Sequence, residues 1–195
     1  TVTYVAGNQV VNYYYKRKDA ANITVHHYID GTTTELYTPA GSTTPSAVVI
    51  DGSGKLGTTE NLTNKAADID NYEYVGIDVS GANTATTPSA TGDTTLTHST
   101  TPQTVIYKYR RKNAGNITVN HYEVGTTTQL YKPTGSTTPA AENFDGTGKL
   151  GLTENLTNKA ADIDNYEFVN VNVSGASGAS TPSANGDTTV TYNAG

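Results

Sequence analysis

Four histidines, 18 carboxylates and 14 tyrosines are the side chains of this chain that could perform acid–base, metal or stacking chemistry. His26 and His27 are neighbours in an alternating run, Asn22-Ile23-Thr24-Val25-His26-His27-Tyr28-Ile29. Consecutive side chains of a strand point to opposite faces, so these two imidazoles cannot chelate one ion together. His27 shares its face with Ile23 and Val25, which fits a hydrogen-bonded residue at the margin of a core. A second such run carries His121, with Asn120 in the place of His26. No Ser–His–Asp spacing stands out, and a triad is defined by geometry in any case. Without convergent titratable groups the chain is expected not to be an enzyme.

The carboxylates suggest turns before they suggest metal. Asp51-Gly52-Ser53-Gly54-Lys55 begins like a calcium loop, but Lys55 stands where an oxygen ligand belongs and no spaced Glu completes it. Asp68 and Asp70, repeated as Asp162 and Asp164, are weaker calcium candidates that capping and turn formation also explain. A structural calcium stays open, and no other cofactor is expected. Zero cysteines exclude disulfides and thiolate metal sites. With no Trp, a sugar-stacking platform must use Tyr, which offers a ring face and a hydroxyl. Tyr28, Tyr37, Tyr122 and Tyr131 are the ligand-binding candidates; Tyr is equally a good strand and small-core residue. Lys65 and Lys159, with Asn and Asp nearby, are the candidates for an intramolecular isopeptide crosslink.

The elements that position these groups must come from a chain with little apolar material. Of 195 residues, 34% are apolar and 15% charged, with a mean hydropathy of −0.49. The abundant Tyr, Thr and Val nevertheless favour folded strands over disorder. A net charge of −6 disfavours nucleic acid as a partner. The clusters Lys16-Arg17-Lys18 and Arg110-Arg111-Lys112 are expected to be solvated strand-end charges. The longest aliphatic stretch, residues 47–50, is far too short to insert in a membrane. A start without Met is expected of a piece excised from something longer. Sequons at Asn22, Asn61, Asn116 and Asn155 arise readily in a Thr-rich chain.

An internal repeat sets the architecture. Asn22-Ile23-Thr24-Val25 recurs as Asn116-Ile117-Thr118-Val119, and residues 59–73 recur unchanged as residues 153–167, both at an offset of 94. Gln9-Val10-Val11 matches Gln103-Thr104-Val105 at the same offset, and Thr1-Val2-Thr3-Tyr4 matches Thr189-Val190-Thr191-Tyr192 two periods on. A period of this length is that of a small domain, not of a solenoid repeat. Two tandem modules from a longer array are expected, at residues 1–101 and 102–195, with 22–112 and 116–195 as the alternative phase. In the first phase residues 103–112 complete the second module and residues 9–18 the first.

Within one period, residues 22–29 alternate as a strand and Asp30-Gly31 forms a turn. Residues 35–38 suggest a return strand, and Val48-Val49-Ile50 a short strand in a loop. Leu62, Ala66 and Ile69 fall at i, i+4 and i+7, which predicts one short amphipathic helix over residues 59–69. Residues 72–79, 94–97 and 105–109 are the remaining strands. The expected class is α+β and strand-rich, each module a small mixed sheet with one helix.

Three segments carry a resemblance. They are Ile23-Thr24-Val25-His26-His27-Tyr28, then Ala67-Asp68-Ile69-Asp70-Asn71-Tyr72-Glu73-Tyr74-Val75, then Gln103-Thr104-Val105-Ile106-Tyr107-Lys108-Tyr109 with basic residues following. There the chain resembles the mucin-binding protein (MucBP-type) repeats of Gram-positive cell-surface adhesins, with Asp70-Asn71 where a Pro-Gly turn is common. The resemblance implies ubiquitin-like β-grasp modules of an extracellular, cell-wall-anchored protein on a bacterial surface. It implies host mucin glycoproteins or their glycans as partners, bound weakly and multivalently by monomeric modules of an array. The alternative is a structural stalk that binds nothing itself.

Overall fold

A computed structural model describes every residue except Ala85 and Ser174. Among the described residues ten strands follow in order: β1 Ile23–Ile29, β2 Val48–Ile50, β3 Thr59–Asn61, β4 Tyr72–Asp78, β5 Thr95–Thr97, β6 Gln103–Arg111, β7 Ile117–Val119, β8 Glu142–Phe144, β9 Thr153–Asn155 and β10 Thr189–Thr191. They form a four-stranded sheet ordered β2-β1-β6-β4 and three two-stranded sheets, β3-β5, β7-β8 and β9-β10. The chain divides into two compact units, Thr1–Ala67 with Val75–Lys108, and Asp68–Tyr74 with Tyr109–Gly195.

The first unit is organised by alternation. In β1, Ile23, Val25 and His27 are buried while Thr24, His26 and Tyr28 are half-buried on the other face. Antiparallel β2 pairs Ile50 with Ile23 and Val48 with Val25. Gln103, Val105 and Tyr107 of β6 also alternate inward, and Leu62 and Leu96 complete the core. Gly52 seals one edge, since a Cβ there would stand 2.5 Å from the carbonyl oxygens of both Ala20 and Ala21. Gly146 is confined in the same way by Ala114 and Gly115 in the second unit.

The second unit builds β7-β8 and β9-β10 on the same plan, pairing Ile117 with Phe144 and Thr189 with Asn155. Its buried apolar residues are Tyr109, Leu156, Val190 and Tyr192. Ile117 and Val119, the counterparts of fully buried Ile23 and Val25, are only half-buried. Residues 166–172, the counterpart of β4, carry no strand and are exposed.

The expected α+β class and the β-grasp module with a helix are overturned: no helix occurs among the described residues. The segment predicted as a helix begins as strand β3 and continues as a turn. Two local competitors explain this. The Asn61 side chain accepts from the Thr63 amide at 2.9 Å and from the Thr63 hydroxyl, an alternative to helical bonding. Asn64 then takes φ 56°, and its amide is held by Asp93 Oδ1 at 2.7 Å. Three apolar residues in so short a stretch do not repay helix nucleation. The second repeat does the same at Asn155, Thr157 and Asn158, the last with φ 56°.

Other local expectations meet specific outcomes. The return strand predicted over residues 35–38 shrinks to an isolated bridge between Tyr28 and Glu35. At Asp70-Asn71, Asn71 adopts φ 66° and Tyr72 N bonds Ile69 O at 3.0 Å, so Asn supplies the left-handed turn position. Residues 103–111 pair within the sheet that contains β1 and β4, and residues 1–18 form no strand.

Candidate functional site

The turn after β1 brings Glu35 back against that strand. Thr32 N bonds Ile29 O at 2.9 Å and Leu36 N bonds His27 O at 2.8 Å, which sets the register. Glu35 Oε2 then lies 2.9 Å from His26 Nδ1, and Glu35 Oε1 accepts the His27 amide at 2.7 Å. The Tyr28 ring sits beside the pair, 4.7 Å from the His26 ring. Burial, with a further contribution from the Glu35 charge, pushes the Tyr28 hydroxyl up from its ordinary value. An aromatic ring next to a hydrogen-bonding carboxylate and imidazole is chemistry suited to a polyhydroxylated ligand.

The second repeat rebuilds this cluster from uncharged residues. Asn120 stands for His26, Gln129 for Glu35 and Tyr122 for Tyr28. Gln129 Nε2 donates to Asn120 Oδ1 at 2.9 Å, and Gln129 Oε1 accepts the His121 amide at 2.9 Å. Both partners differ between the repeats, yet the bond between them persists. Tyr122 is 49% exposed, so its ring is open to solvent.

On the core face of β1, His27 Nε2 donates to Lys65 O at 2.9 Å. Its ring lies 4.8 Å from that of Tyr37 and stacks on Tyr107 at 5.2 Å. A cleft of about 300 Å³ opens here, lined by Val25, His27, Tyr37, Val48, Ile50 and Lys65 among others. Burial lowers the His27 pKa, against the opposing hydrogen bond to Lys65. His121 repeats the arrangement with Lys159 O at 2.6 Å and Tyr131 at 4.7 Å. The four candidate tyrosines therefore divide by role. Tyr28 and Tyr122 belong to the outer polar clusters, whereas Tyr37 and Tyr131 pack on buried or half-buried histidines.

One repeated polar network went unseen in the sequence. Buried His98 places Nε2 3.1 Å from Glu60 Oε2, with Lys55 Nζ 3.5 Å from the same oxygen. In the second repeat Tyr192 replaces His98, donating to Glu154 Oε2 at 2.6 Å and accepting from Lys149 at 3.1 Å. Burial raises the Glu60 pKa, but the hydrogen bond from His98 and the Lys55 charge outweigh it and leave the carboxyl below its ordinary value. The signal available was the pair Thr-Leu-Thr-His and Thr-Val-Thr-Tyr, residues 95–98 and 189–192, in which the fourth residue points inward with Leu96 or Val190.

The calcium candidates are not gathered into a cage. Asp68, Asp70, Asp162 and Asp164 are exposed, and no group of three or more His, Asp or Glu side chains is placed to hold a metal among the described residues. Asp51 Oδ1 accepts from the Ser53 amide at 3.2 Å and hydroxyl at 2.9 Å, and those bonds hold its carboxyl below the ordinary range. Lys159 Nζ pairs with Glu142 at 2.8 Å and lies over the Phe144 ring. In the basic clusters, Arg110 binds Glu73 at 2.6 Å, and Arg111 donates to the Tyr72 hydroxyl at 2.7 Å while lying over its ring.

Compared with protein-family models the chain matches none, and a search of curated proteins finds no relative.

Proposed function

We propose that this chain is a pair of adhesin modules that bind mucin-type glycans weakly, each through the outer cluster built around one tyrosine. The observation that carries the proposal is the recurrence of that cluster. Tyr28 with His26 and Glu35, and Tyr122 with Asn120 and Gln129, present a ring beside a hydrogen-bonded polar pair at the same repeat position. Keeping the hydrogen bond while exchanging both partners is expected where the polar pair has a use of its own. Weak sites in tandem raise avidity without new contacts, by roughly 10²-fold or more when the geometry allows both to engage. The strand motifs that resemble MucBP-type repeats support the same reading, with a bacterial cell-wall protein as the parent and the extracellular face as the location.

Retention of the 195-residue chain on immobilised mucin, before and after enzymatic glycan removal, tests this. The expected result is binding that disappears with the glycans and weakens severalfold in the Tyr28→Ala, Tyr122→Ala double variant. Absence of binding at high concentration would make the repeats a stalk.

A further inference from the structure

The cleft beside His27 has eight described lining residues, and the second repeat changes only two of them. Six recur unchanged, among them His27 as His121, Tyr37 as Tyr131 and Lys65 as Lys159. The two exceptions stand on one strand: Val48 and Ile50 of β2 become Glu142 and Phe144 of β8. Both replacements act on the lysine. Lys159 Nζ pairs with Glu142 Oε1 at 2.8 Å and lies 4.7 Å from the centre of the Phe144 ring. The second repeat thus supplies this lysine with a carboxylate and an aromatic ring from its own strand.

The first repeat offers Lys65 neither group. Its backbone is anchored as that of Lys159 is, since His27 Nε2 bonds Lys65 O at 2.9 Å and His121 Nε2 bonds Lys159 O at 2.6 Å. Yet Lys159 is half-buried whereas Lys65 is exposed, and the Lys65 ammonium makes no ion pair or hydrogen bond among the described residues. The shorter Val48 and Ile50 line an opening of about 300 Å³, at the small end of the range for small-molecule sites. Its walls are aliphatic at Val25, Val48 and Ile50 and aromatic at Tyr37. His27 faces it as a neutral ring, because burial lowers its pKa. Among the described lining residues Lys65 therefore carries the one charge, and that charge is positive.

We propose that the cleft of the first repeat binds a small aromatic carboxylate, whose two groups take the places that Glu142 and Phe144 hold in the second. The carboxylate meets Lys65 Nζ, and the ring lies on Val48 and Ile50 against Tyr37. Charge-assisted bonding and the cation–π contact both strengthen as the ring covers the ammonium from water. In the second repeat one ammonium touches both groups, so acid and ring must be joined by a short linker. The aliphatic walls favour a ring over a sugar, because they offer no hydrogen bonds to hydroxyls. This site is separate from the outer cluster, since His26 and Tyr28 stand on the opposite face of β1 from Val25 and His27.

Phenylpropionate carries the two groups at a suitable separation and serves as the probe. Titrated into the isotope-labelled 195-residue chain, it should shift the amide resonances of residues 25–27, 48–50 and 64–67. A Kd on the order of 1 mM is expected of so few atoms. Phenylpropanol, which lacks the charge, and acetate, which lacks the ring, should each bind about tenfold more weakly or worse. Lys65→Gln, at an exposed position, should weaken phenylpropionate by about tenfold as well. Val48→Glu with Ile50→Phe gives the first repeat the residues of the second and should abolish the shifts. Three results would each overturn the proposal. One is no shift at about tenfold above that Kd. Another is shifts of equal size scattered over both repeats. The last is an affinity that Lys65→Gln leaves unchanged. Mucin retention reports on the outer cluster and decides nothing here, so the two readings stand or fall separately.

Discussion

The imidazole of His27 lies flat against the ring of Tyr107, with centroids 5.2 Å apart and 14° between the planes. One residue comes from β1 and the other from β6, so this stack locks the two middle strands of the four-stranded sheet together. The Tyr107 hydroxyl reaches on to Gly92 O, and His27 reaches Lys65 O on the loop that was expected to be helical. A single stacked pair thus ties the sheet to two of its covering loops.

Tyr107 and Tyr13 occupy the same position one period apart, which allows a comparison within one chain. Tyr107→Ala removes a fully buried ring and should destabilise the first unit by about 3–5 kcal/mol. Tyr13→Ala, at an exposed site, should change stability by less than about 0.5 kcal/mol. Urea denaturation of the two variants makes the comparison, and equal losses would mean that residues 9–17 are packed in solution.

Acidification should weaken the first unit through His27. Its folded pKa is lowered from 6.5 by burial, so the unfolded chain takes up the proton first. The stability it contributes is complete above pH 6.5 and is lost as pH falls through the lower folded value. His27→Gln, which keeps a donor for Lys65 O, should flatten the slope as pH falls below 6.5. An unchanged slope in chemical denaturation across that window would assign the effect elsewhere.

Gly52 has no room for a side chain. Gly52→Ala should cost on the order of 1–3 kcal/mol, because the added carbon meets two backbone carbonyls that cannot swing away. Gly31→Ala makes the complementary control: open space surrounds Gly31, and any loss there reflects its φ of 74° alone. Thermal unfolding of the two variants separates collision from backbone strain.

The outer pair of the first repeat should be convertible into that of the second. Glu35→Gln alone or His26→Asn alone should weaken the 2.9 Å bond, and making both should rebuild it as Asn120 and Gln129 do. A double-mutant cycle is expected to give a coupling of about 0.5–1.5 kcal/mol. Mucin retention that survives the double exchange but not the single ones would tie the polar pair to binding.

Much of this was legible from local pattern. Period-two alternation placed Ile23, Val25 and His27 on one face, and the structure buries all three. Asp30-Gly31 and Asp70-Asn71 marked turns, and the latter bends where Asn71 takes φ 66°. The helix over residues 59–69 misled because spacing at i, i+4 and i+7 takes no account of side chains that hydrogen-bond their own backbone. Asn61 does so, and Asp93, remote in sequence, fixes Asn64 from outside the window. The Glu60 network was hidden for the same reason, since Glu60 and His98 meet only through pairing of β3 with β5.

The sequence by itself determined the period of 94, the alternation of β1 and β6 and the turns at Asp30-Gly31 and Asn71, because these depend on side-chain order and local backbone preference. It did not determine which segments become strands. Residues 59–73 and 153–167 are identical, yet Tyr72 and Glu73 begin β4 while Tyr166 and Glu167 lie exposed outside any strand. β4 pairs with β6, whereas no strand is paired with residues 166–172 among the described residues. A strand's backbone groups need a partner and its inward side chains need a surface, and only the tertiary structure decides whether a neighbour is there to provide both.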